Sequence, residues 1–347
     1  MVVKWVAVSF AAAMLSVFPS YGALTTTAAG TAAGFGAVTS VVSGWTEQTT
    51  DSKGQVGPLG VVITSLGTML VTDSTGNVYS FASDANGQVF VPGSATASYA
   101  KNDAVGLANI GGTLYMTQNA LDDLLRISNT GASLAVVTNA IPQHLNGLIV
   151  DPITNHLIVS GDGRGIFDVN PTTGAFTTIE SGAAGTAAYD GIALSADGTT
   201  LYAADATNNR VVSINLSTDA ITSLGAVTNP DGIAVGTGVR AGNIYVNTNG
   251  TLTPSTPGQF IQISLAAGNA QTVIATGGSR GDFVYVDPCG KILITQSDGL
   301  VTFGGGCLFA AAPEPGTFAL LGMALGLVGL VRRRRCGLTR RSRLVAQ

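Results

Sequence analysis

Several residue types on which enzyme active sites depend are scarce in this chain. Among its 347 residues there are three cysteines, two histidines and two tryptophans, and charged residues make up 10%. The sequence contains no Cys-x-x-Cys pair, no His-Glu-x-x-His, no Gly-x-Ser-x-Gly and no P-loop. These absences argue against the common zinc, nucleotide-binding and serine-hydrolase sites. With His144 and His156 as the only histidines, a histidine-based triad is also disfavoured, and both are expected to be solvated loop residues, although His144 could approach a central channel.

Apolar residues, by contrast, account for 46% of the chain, which is ample for a packed core and argues against disorder. The charges are unevenly placed. Residues 23–312 hold 19 acidic and 8 basic side chains, a net charge of −11, whereas seven of the 16 basic residues lie in the last 16 positions. A body this acidic repels nucleic acid phosphates and attracts divalent cations weakly, so nucleic acid is not an expected partner.

The N-terminus has the organisation of an export signal. Met1 to Gly22 has one charge at Lys4, an apolar stretch from Trp5 to Val17, and small residues before Gly22. This pattern predicts a cleaved signal peptide over residues 1–22. Residues 23–36 are rich in Thr, Ala and Gly and are predicted to be a flexible leader.

A repeat dominates the middle of the chain, and Tyr189 to Leu216 is its cleanest copy. An apolar run after Asp190-Gly191, a turn at Asp197-Gly198 and two further apolar runs indicate a meander of short antiparallel strands. The unit recurs six times. Its leading positions are Gly60, Gly106, Gly147, Gly191, Gly232 and Phe283, at spacings of 46, 41, 44, 41 and 51 residues.

A period in the forties built from three or four strands is typical of a β-propeller blade, so six copies predict an all-β, six-bladed propeller over residues 37–312. A β-sandwich is the alternative. A propeller ring needs one blade completed by both chain ends. Residues 37–42 are the candidate closing strand, and residues 304–312 compete for that place.

The C-terminus combines Pro313-Glu314-Pro315, an apolar run from Phe318 to Val331, and four arginines from Arg332 to Arg335. Fourteen apolar residues are fewer than the roughly 20 that span a bilayer comfortably, but the arginines act as a cytoplasmic stop. Residues 313–335 resemble the PEP-CTERM sorting signal of Gram-negative bacteria. The basic tail 336–347 is longer than is usual in that family.

This resemblance implies transient insertion of a transmembrane helix, Phe318 to Val331, into the inner membrane. It also implies cleavage near Pro313-Glu314-Pro315 by an exosortase. The body would then be secreted or attached to the cell surface, often beside exopolysaccharide. An uncleaved membrane anchor is the alternative.

Cysteine usage fits an exported protein. Cys336 lies in the segment that processing would remove, which leaves Cys289 and Cys307 in the body. Both follow strands of the sixth repeat and fall on the same face of one blade. An oxidising compartment therefore makes a Cys289–Cys307 disulfide possible, although two cysteines do not establish it.

A pattern also appears where each innermost strand begins. The residues there, in blade order, are Leu59, Val105, Asn146, Asp190, Asp231 and Asp282. The last four would present oxygen atoms to one region of the central channel, and such oxygens are the ligands that Ca²⁺ and other divalent cations prefer. The alternative is that Asp or Asn before Gly caps a turn by accepting hydrogen bonds from nearby backbone.

Motifs in the same region resemble two propeller families. Asn146-Gly147-Leu148, Asp190 to Gly198 and Pro230-Asp231-Gly232 are similar to the six-bladed gluconolactonase and regucalcin family, and residues 205–211 are similar to an NHL repeat. The first resemblance implies that Asp231 is both a metal ligand and the catalytic base of lactone hydrolysis, with Asp190 at an Asn position. Leu59 departs from it, since that family has a metal-binding Glu there.

The missing carboxylate at Leu59 favours a function without catalysis. We therefore predict an exported, C-terminally sorted propeller that acts as a binding or scaffold module at the cell surface or in extracellular matrix, with exopolysaccharide or surface proteins as partners. The alternative is a lactonase-type hydrolase that uses a divalent metal held by Asn146, Asp190, Asp231 and Asp282.

Overall fold

The protein folds as an all-β, six-bladed propeller, which confirms the predicted fold class. This fold is seen in a computed structural model that describes residues 23–51, 54–99, 104–142, 144–161, 165–180, 187–252 and 255–303. The signal peptide predicted for residues 1–22 and the sorting segment 313–335 lie outside these ranges. No helix within the described residues is long and apolar enough to cross a membrane.

Each blade is a twisted antiparallel sheet whose strands follow one another from the channel outwards. Blades 1 to 3 comprise Pro58–Ile63, Met69–Asp73, Asn77–Phe81 and Ala97–Ser98; Ala104–Ile110, Thr113–Gln118, Asp123–Ile127 and Ser133–Thr138; and Leu145–Val150, Leu157–Gly161, Gly165–Val169 and Phe176–Glu180. Blades 4 to 6 comprise Tyr189–Leu194, Thr200–Asp205, Arg210–Asn215 and Ile221–Ala226; Pro230–Val235, Asn243–Thr248, Gly258–Ser264 and Ala270–Gly278; and Val284–Val286, Ile292–Gln296, Gly299–Thr302 and Thr39–Ser43.

Smaller elements lie outside this ring of strands. Two hairpins, Thr49–Asp51 with Gly54–Val56 and Thr251–Leu252 with Ser255–Thr256, lie in loops at the end where the inner strands begin. We call this end the top face and the opposite end the bottom face. A 3₁₀ turn, Gly238–Arg240, lies on the bottom face.

The blades form because their second strands are apolar on both sides. In blade 1 the side chains of Met69, Leu70 and Val71 are all fully buried, since each side of the sheet packs against a neighbouring blade. A continuous apolar run of three or four residues therefore becomes a central strand in every repeat.

The glycine that leads each repeat allows neighbouring blades to approach closely. A Cβ atom on Gly60 would lie 2.0 Å from the carbonyl oxygen of Val105, and one on Gly191 would lie 2.3 Å from that of Asp231. These distances are too short for any side chain. Glycine at this position is consequently a packing requirement in blades 1 to 5, whereas blade 6 has Phe283 there.

Hydroxyl groups on the second strands connect successive blades. The Thr72 hydroxyl accepts a hydrogen bond from the backbone N–H of Gly60 and donates one to the carbonyl of Val105, both at 2.8 Å. Thr117 and Ser160 make the same pair of bonds in blades 2 and 3. Each hydroxyl thus satisfies buried backbone groups of two blades at once.

The N-terminal strand closes the ring. Thr39–Ser43 pairs antiparallel with Gly299–Thr302 as the fourth strand of blade 6. A short strand, Gln88–Val89, from the loop between the third and fourth strands of blade 1, pairs with it in parallel. The predicted closing strand over residues 37–42 is therefore confirmed. The competing segment, residues 304–312, lies outside the described residues.

A buried ion pair crosses the same junction. The Lys291 ammonium donates hydrogen bonds to the side chain and to the backbone carbonyl of Asp84, both at 2.5 Å. The two side chains are 3% and 2% exposed, so little water screens their attraction.

The segment predicted to be a flexible leader, residues 23–36, instead packs on blade 5. Thr25–Thr26 adds a strand to the outer edge of that blade, and a short helix, Ala28–Ala32, begins at the N-cap Thr27. Phe35 is 3% exposed within an aromatic cluster, and the Arg240 guanidinium lies 3.8 Å from its ring centroid. Leu24 is buried in the same core cluster. The low complexity of the segment concealed these two buried anchors.

Candidate functional site

The candidate site is the ring of residues at which the inner strands begin on the top face. Leu59, Val105, Asn146, Asp190 and Asp231 are each the second residue of an inner strand, and Asp282 lies two residues before the inner strand of blade 6. The ring has an apolar half in blades 1 and 2, which Phe283 of blade 6 covers, and a polar half in blades 3 to 6.

The apolar half is a packed cluster. Leu59 and Val105 are each 6% exposed and pack with Val56 from the first top hairpin, while Phe283 covers them from blade 6. The position where the gluconolactonase family has a metal-binding Glu is thus occupied by a side chain buried among apolar neighbours. Phe283, which breaks the glycine pattern of the repeat, completes this cluster.

In the polar half, hydrogen-bond donors of the protein already engage the predicted ligand atoms. The Asn119 side-chain amide donates to Asn146 Oδ1 at 2.5 Å, and the Asn249 amide donates to the 1% exposed carboxylate of Asp231. Asn249 comes from the loop that carries the second top hairpin.

Asp282 and Asp190 complete the predicted set. The Asp282 carboxylate accepts a hydrogen bond from Arg280 Nε at 3.2 Å, in an ion pair with little exposure. A cation is therefore already supplied to Asp282 by the protein. Asp190 is half-buried, and its backbone carbonyl accepts the hydrogen bond from Ser160.

Three of these residues have side-chain partners within the protein as they are placed. Within the described part of the chain, no group of three or more His, Cys, Asp or Glu side chains is arranged to hold a metal ion. Leu59 offers no oxygen, and Arg280 disfavours a second cation beside Asp282. Metal binding by Asn146, Asp190, Asp231 and Asp282 stays a prediction.

The histidines and the NHL-like loop have structural partners. The His144 side chain is 60% exposed and lies 3.3 Å from Asp122, whereas His156 Nδ1 contacts Asp168 at 2.7 Å. The fully buried Asp205 accepts a hydrogen bond from Arg210 Nε at 2.8 Å. None of these contacts points to catalysis.

Below the ring of residues at which the inner strands begin, these strands surround a cavity of about 720 Å³ that extends to the bottom-face turns. Its walls are mostly aliphatic and come from all six blades. Burial, together with the charges of Asp287 and Asp84, raises the pKa of the lining residue Tyr285 to about 12. The hydroxyl is therefore neutral at ordinary pH.

Sequence reasoning missed the hydroxyl bridges between blades and the apolar walls of the central channel. The bridges do have a signal, because Thr72, Thr117 and Ser160 each occupy the same place late in a second strand. The apolar channel wall has no such sequence signal, since residues that face a cavity and residues that face a packed core are equally apolar.

Comparison with known proteins gives two independent results. Residues 311–335 match the PEP-CTERM protein-sorting motif. No curated protein matches the chain by sequence. The structure is similar to a gluconolactonase from Xanthomonas campestris, with 14% identity, a TM-score of 0.58, and coverage of 82% of this chain and 96% of that one.

Two other similar structures have names that give a different activity or none. A protein of unknown function from Bacteroides thetaiotaomicron has 12% identity and a TM-score of 0.56, covering 76% of this chain and 74% of that one. Hydrazine synthase from Kuenenia stuttgartiensis has 14% identity and a TM-score of 0.52, covering 72% and 75%. At such identities the similarity establishes the fold alone.

Taken together, the fold and the motif define a six-bladed propeller that carries an exosortase sorting signal. The PEP-CTERM motif indicates export, processing by an exosortase at the membrane, and a surface location in a Gram-negative bacterium.

Proposed function

We propose that this protein is a non-catalytic binding or scaffold module that acts at the cell surface or in extracellular matrix after sorting. The observation that carries the proposal is a sorting motif on a propeller in which the described residues form no open metal site where the inner strands begin. There, Leu59 and Val105 pack in an apolar cluster, and the side chain of Asn146 accepts a hydrogen bond from Asn119. A signal peptide at residues 1–22 would start export. The apolar run Phe318 to Val331 would hold the chain in the inner membrane until cleavage near Pro313-Glu314-Pro315.

The surface favours a protein partner over a glycan held by stacking. Among the described residues no aromatic side chain is exposed, and Trp45 is 2% exposed against Tyr79 and Phe90. Exopolysaccharide would therefore have to bind through polar loops. The net charge of −11 over residues 23–312 favours a partner with a basic surface.

Sorting can be tested with the full chain in Gram-negative strains that have or lack an exosortase. We expect a shortened body in the surface or extracellular fraction only when the exosortase is present. Glu314→Ala should leave the full-length chain in the membrane fraction, and Glu47→Ala is the matched control. Equal processing in both strains would overturn the sorting part of the proposal.

A lactonase-type hydrolase is the second candidate. The observation that favours it is that Asn146, Asp190 and Asp231 begin three successive inner strands on the top face. Here a divalent cation would polarise the lactone carbonyl, and Asp231 would be the base.

Titration calorimetry of the purified chain with Ca²⁺ and Mn²⁺ separates the two candidates. The binding proposal expects no saturable single site in the parent. The hydrolase candidate expects one site that is lost in an Asp190→Ala, Asp231→Ala double variant and kept in the exposed control Asp197→Ala. A metal site accompanied by lactone hydrolysis would overturn the non-catalytic proposal.

A further inference from the structure

The central channel is covered at its top end. Its lining reaches up to Gly191 and Phe283, and none of the residues that form the ring on the top face contributes to it. Leu59, Val105 and Asp231 lie above it and are at most 6% exposed, and Phe283 packs against the first two of them. The top face therefore gives little access to the channel.

The bottom end, by contrast, is open and has an apolar rim. Ala196 and Ala241 line the cavity and are exposed in the turns that follow the inner strands of blades 4 and 5. In the corresponding turns of blades 1, 3 and 5, Leu66, Ile153 and Val239 are 55%, 67% and 85% exposed. Apolar side chains gathered on a surface mark sites that bind apolar partners. An apolar molecule that approaches this face thus meets apolar surface before it enters the channel.

The walls of the channel disfavour a charged ligand. None of the described residues that line the cavity is charged. Asn109, Ser195 and Thr237 contribute polar side chains near the bottom end, and each of them already donates a hydrogen bond to another group of the protein. An ion would lose its hydration in this channel without gaining a counter-charge. The cavity is therefore suited to an uncharged molecule.

The inner strands nevertheless supply hydrogen-bonding groups. Each of them pairs with only one neighbour, the second strand of its own blade, so its other edge faces the channel. The backbone N–H and C=O groups on such an edge have no partner in the sheet. Apolar walls with a few backbone donors and acceptors are the usual composition of a small-molecule site. A neutral hydroxyl or ester group could consequently be held here.

We propose that the channel binds one uncharged, mainly hydrocarbon molecule with a single hydrogen-bonding group, such as a long-chain alcohol or an acyl ester, which enters from the bottom face. The volume of about 720 Å³ lies within the range of roughly 300–1,000 Å³ that is usual for small-molecule sites. An apolar cavity of about 150 Å³ already binds benzene. The site lies below the ring on the top face and does not depend on the surface partner or on the catalytic question.

Displacement of the uncharged fluorescent probe phenylnaphthylamine from the full chain measures this binding. We expect one saturable site from which hexanol, octanol and decanol displace the probe, with an affinity that rises roughly fourfold for each CH₂ group added. Decanoate and decylammonium should bind at least ~10-fold more weakly than decanol, because each would bring a charge into the channel. An affinity that does not depend on chain length, or tighter binding of either ion, would overturn the proposed ligand class.

Substitutions at the bottom rim test the location of the site. Ala196→Trp and Ala241→Trp should each weaken decanol binding at least ~10-fold, because the indole ring obstructs the entrance and removes space for the ligand. Ala220→Trp, at an exposed position in the outer turn of blade 4 on the same face, is the matched control and should bind like the parent. Circular dichroism checks that all three variants keep the fold and Tm of the parent. Equal decanol binding by the parent and both rim variants would refute the assignment to the channel.

Discussion

The buried ion pair between Lys291 and Asp84 predicts a large loss of stability when one partner is removed. Lys291→Met leaves the Asp84 carboxylate, 2% exposed, without its cation in the junction that closes the ring. Breaking a buried pair in this way costs about 3–5 kcal/mol. A domain of this size loses roughly 2–4 °C of Tm per kcal/mol, so we expect a decrease of about 6–20 °C.

The assay is thermal unfolding monitored by circular dichroism, with urea unfolding of the same samples. Arg126→Met, at an exposed position of blade 2, is the matched control and should change Tm by less than about 1 °C. A Lys291→Met, Asp84→Leu double variant should recover most of the loss, because no uncompensated charge remains. A Lys291→Met protein as stable as the parent would refute the claim that this contact holds the ring closed.

Three further predictions concern other contacts. Ala204 stands where blades 1 to 3 have a bridging hydroxyl, so Ala204→Ser should raise the free energy of unfolding by about 0.5–1.5 kcal/mol. Ala203→Ser in the core should lower it, and equal effects of the two substitutions would contradict the bridge. The pKa of Tyr285 is raised to about 12, so the native state holds this proton more tightly than the unfolded chain. The contribution of this group to the free energy of unfolding should be complete below pH ~10 and be lost as the pH rises towards 12. A Tyr285→Phe chain should therefore show a shallower alkaline decline in Tm. Peptide mapping without reduction should recover Cys289 linked to Cys307, and a link to Cys336 instead would contradict the predicted pairing.

The repeat made the fold predictable from sequence. The glycine that leads each copy, the apolar second strand and the polar turns recur at a fixed period, and each has one structural role. The closing strand was predictable for a topological reason, because a ring of blades cannot leave an edge open. The sorting motif was predictable from composition, through its Pro-Glu-Pro, its apolar run and its arginines.

The candidate site was less predictable. The positions of Asn146, Asp190 and Asp231 at the starts of inner strands followed from the repeat, but their partners did not. Asn119 and Asn249 come from loops whose path is set by long-range packing, and no local pattern links them to the ring. The docking of Phe35 on blade 5 was hidden for the same reason, since a single aromatic residue in a low-complexity segment gives no periodic signal.

The closure of blade 6 has a consequence for the order of events during export. Thr39–Ser43 would be among the first residues to cross the membrane, yet its partner strand, Gly299–Thr302, follows nearly at the end of the chain. The ring therefore cannot be completed until about 260 residues between these strands have been translocated. By then the apolar run at Phe318 is entering the translocation machinery. Maturation of the propeller and arrival of the sorting signal are consequently coupled in time, so an exosortase would meet a body that has only just acquired its last strand.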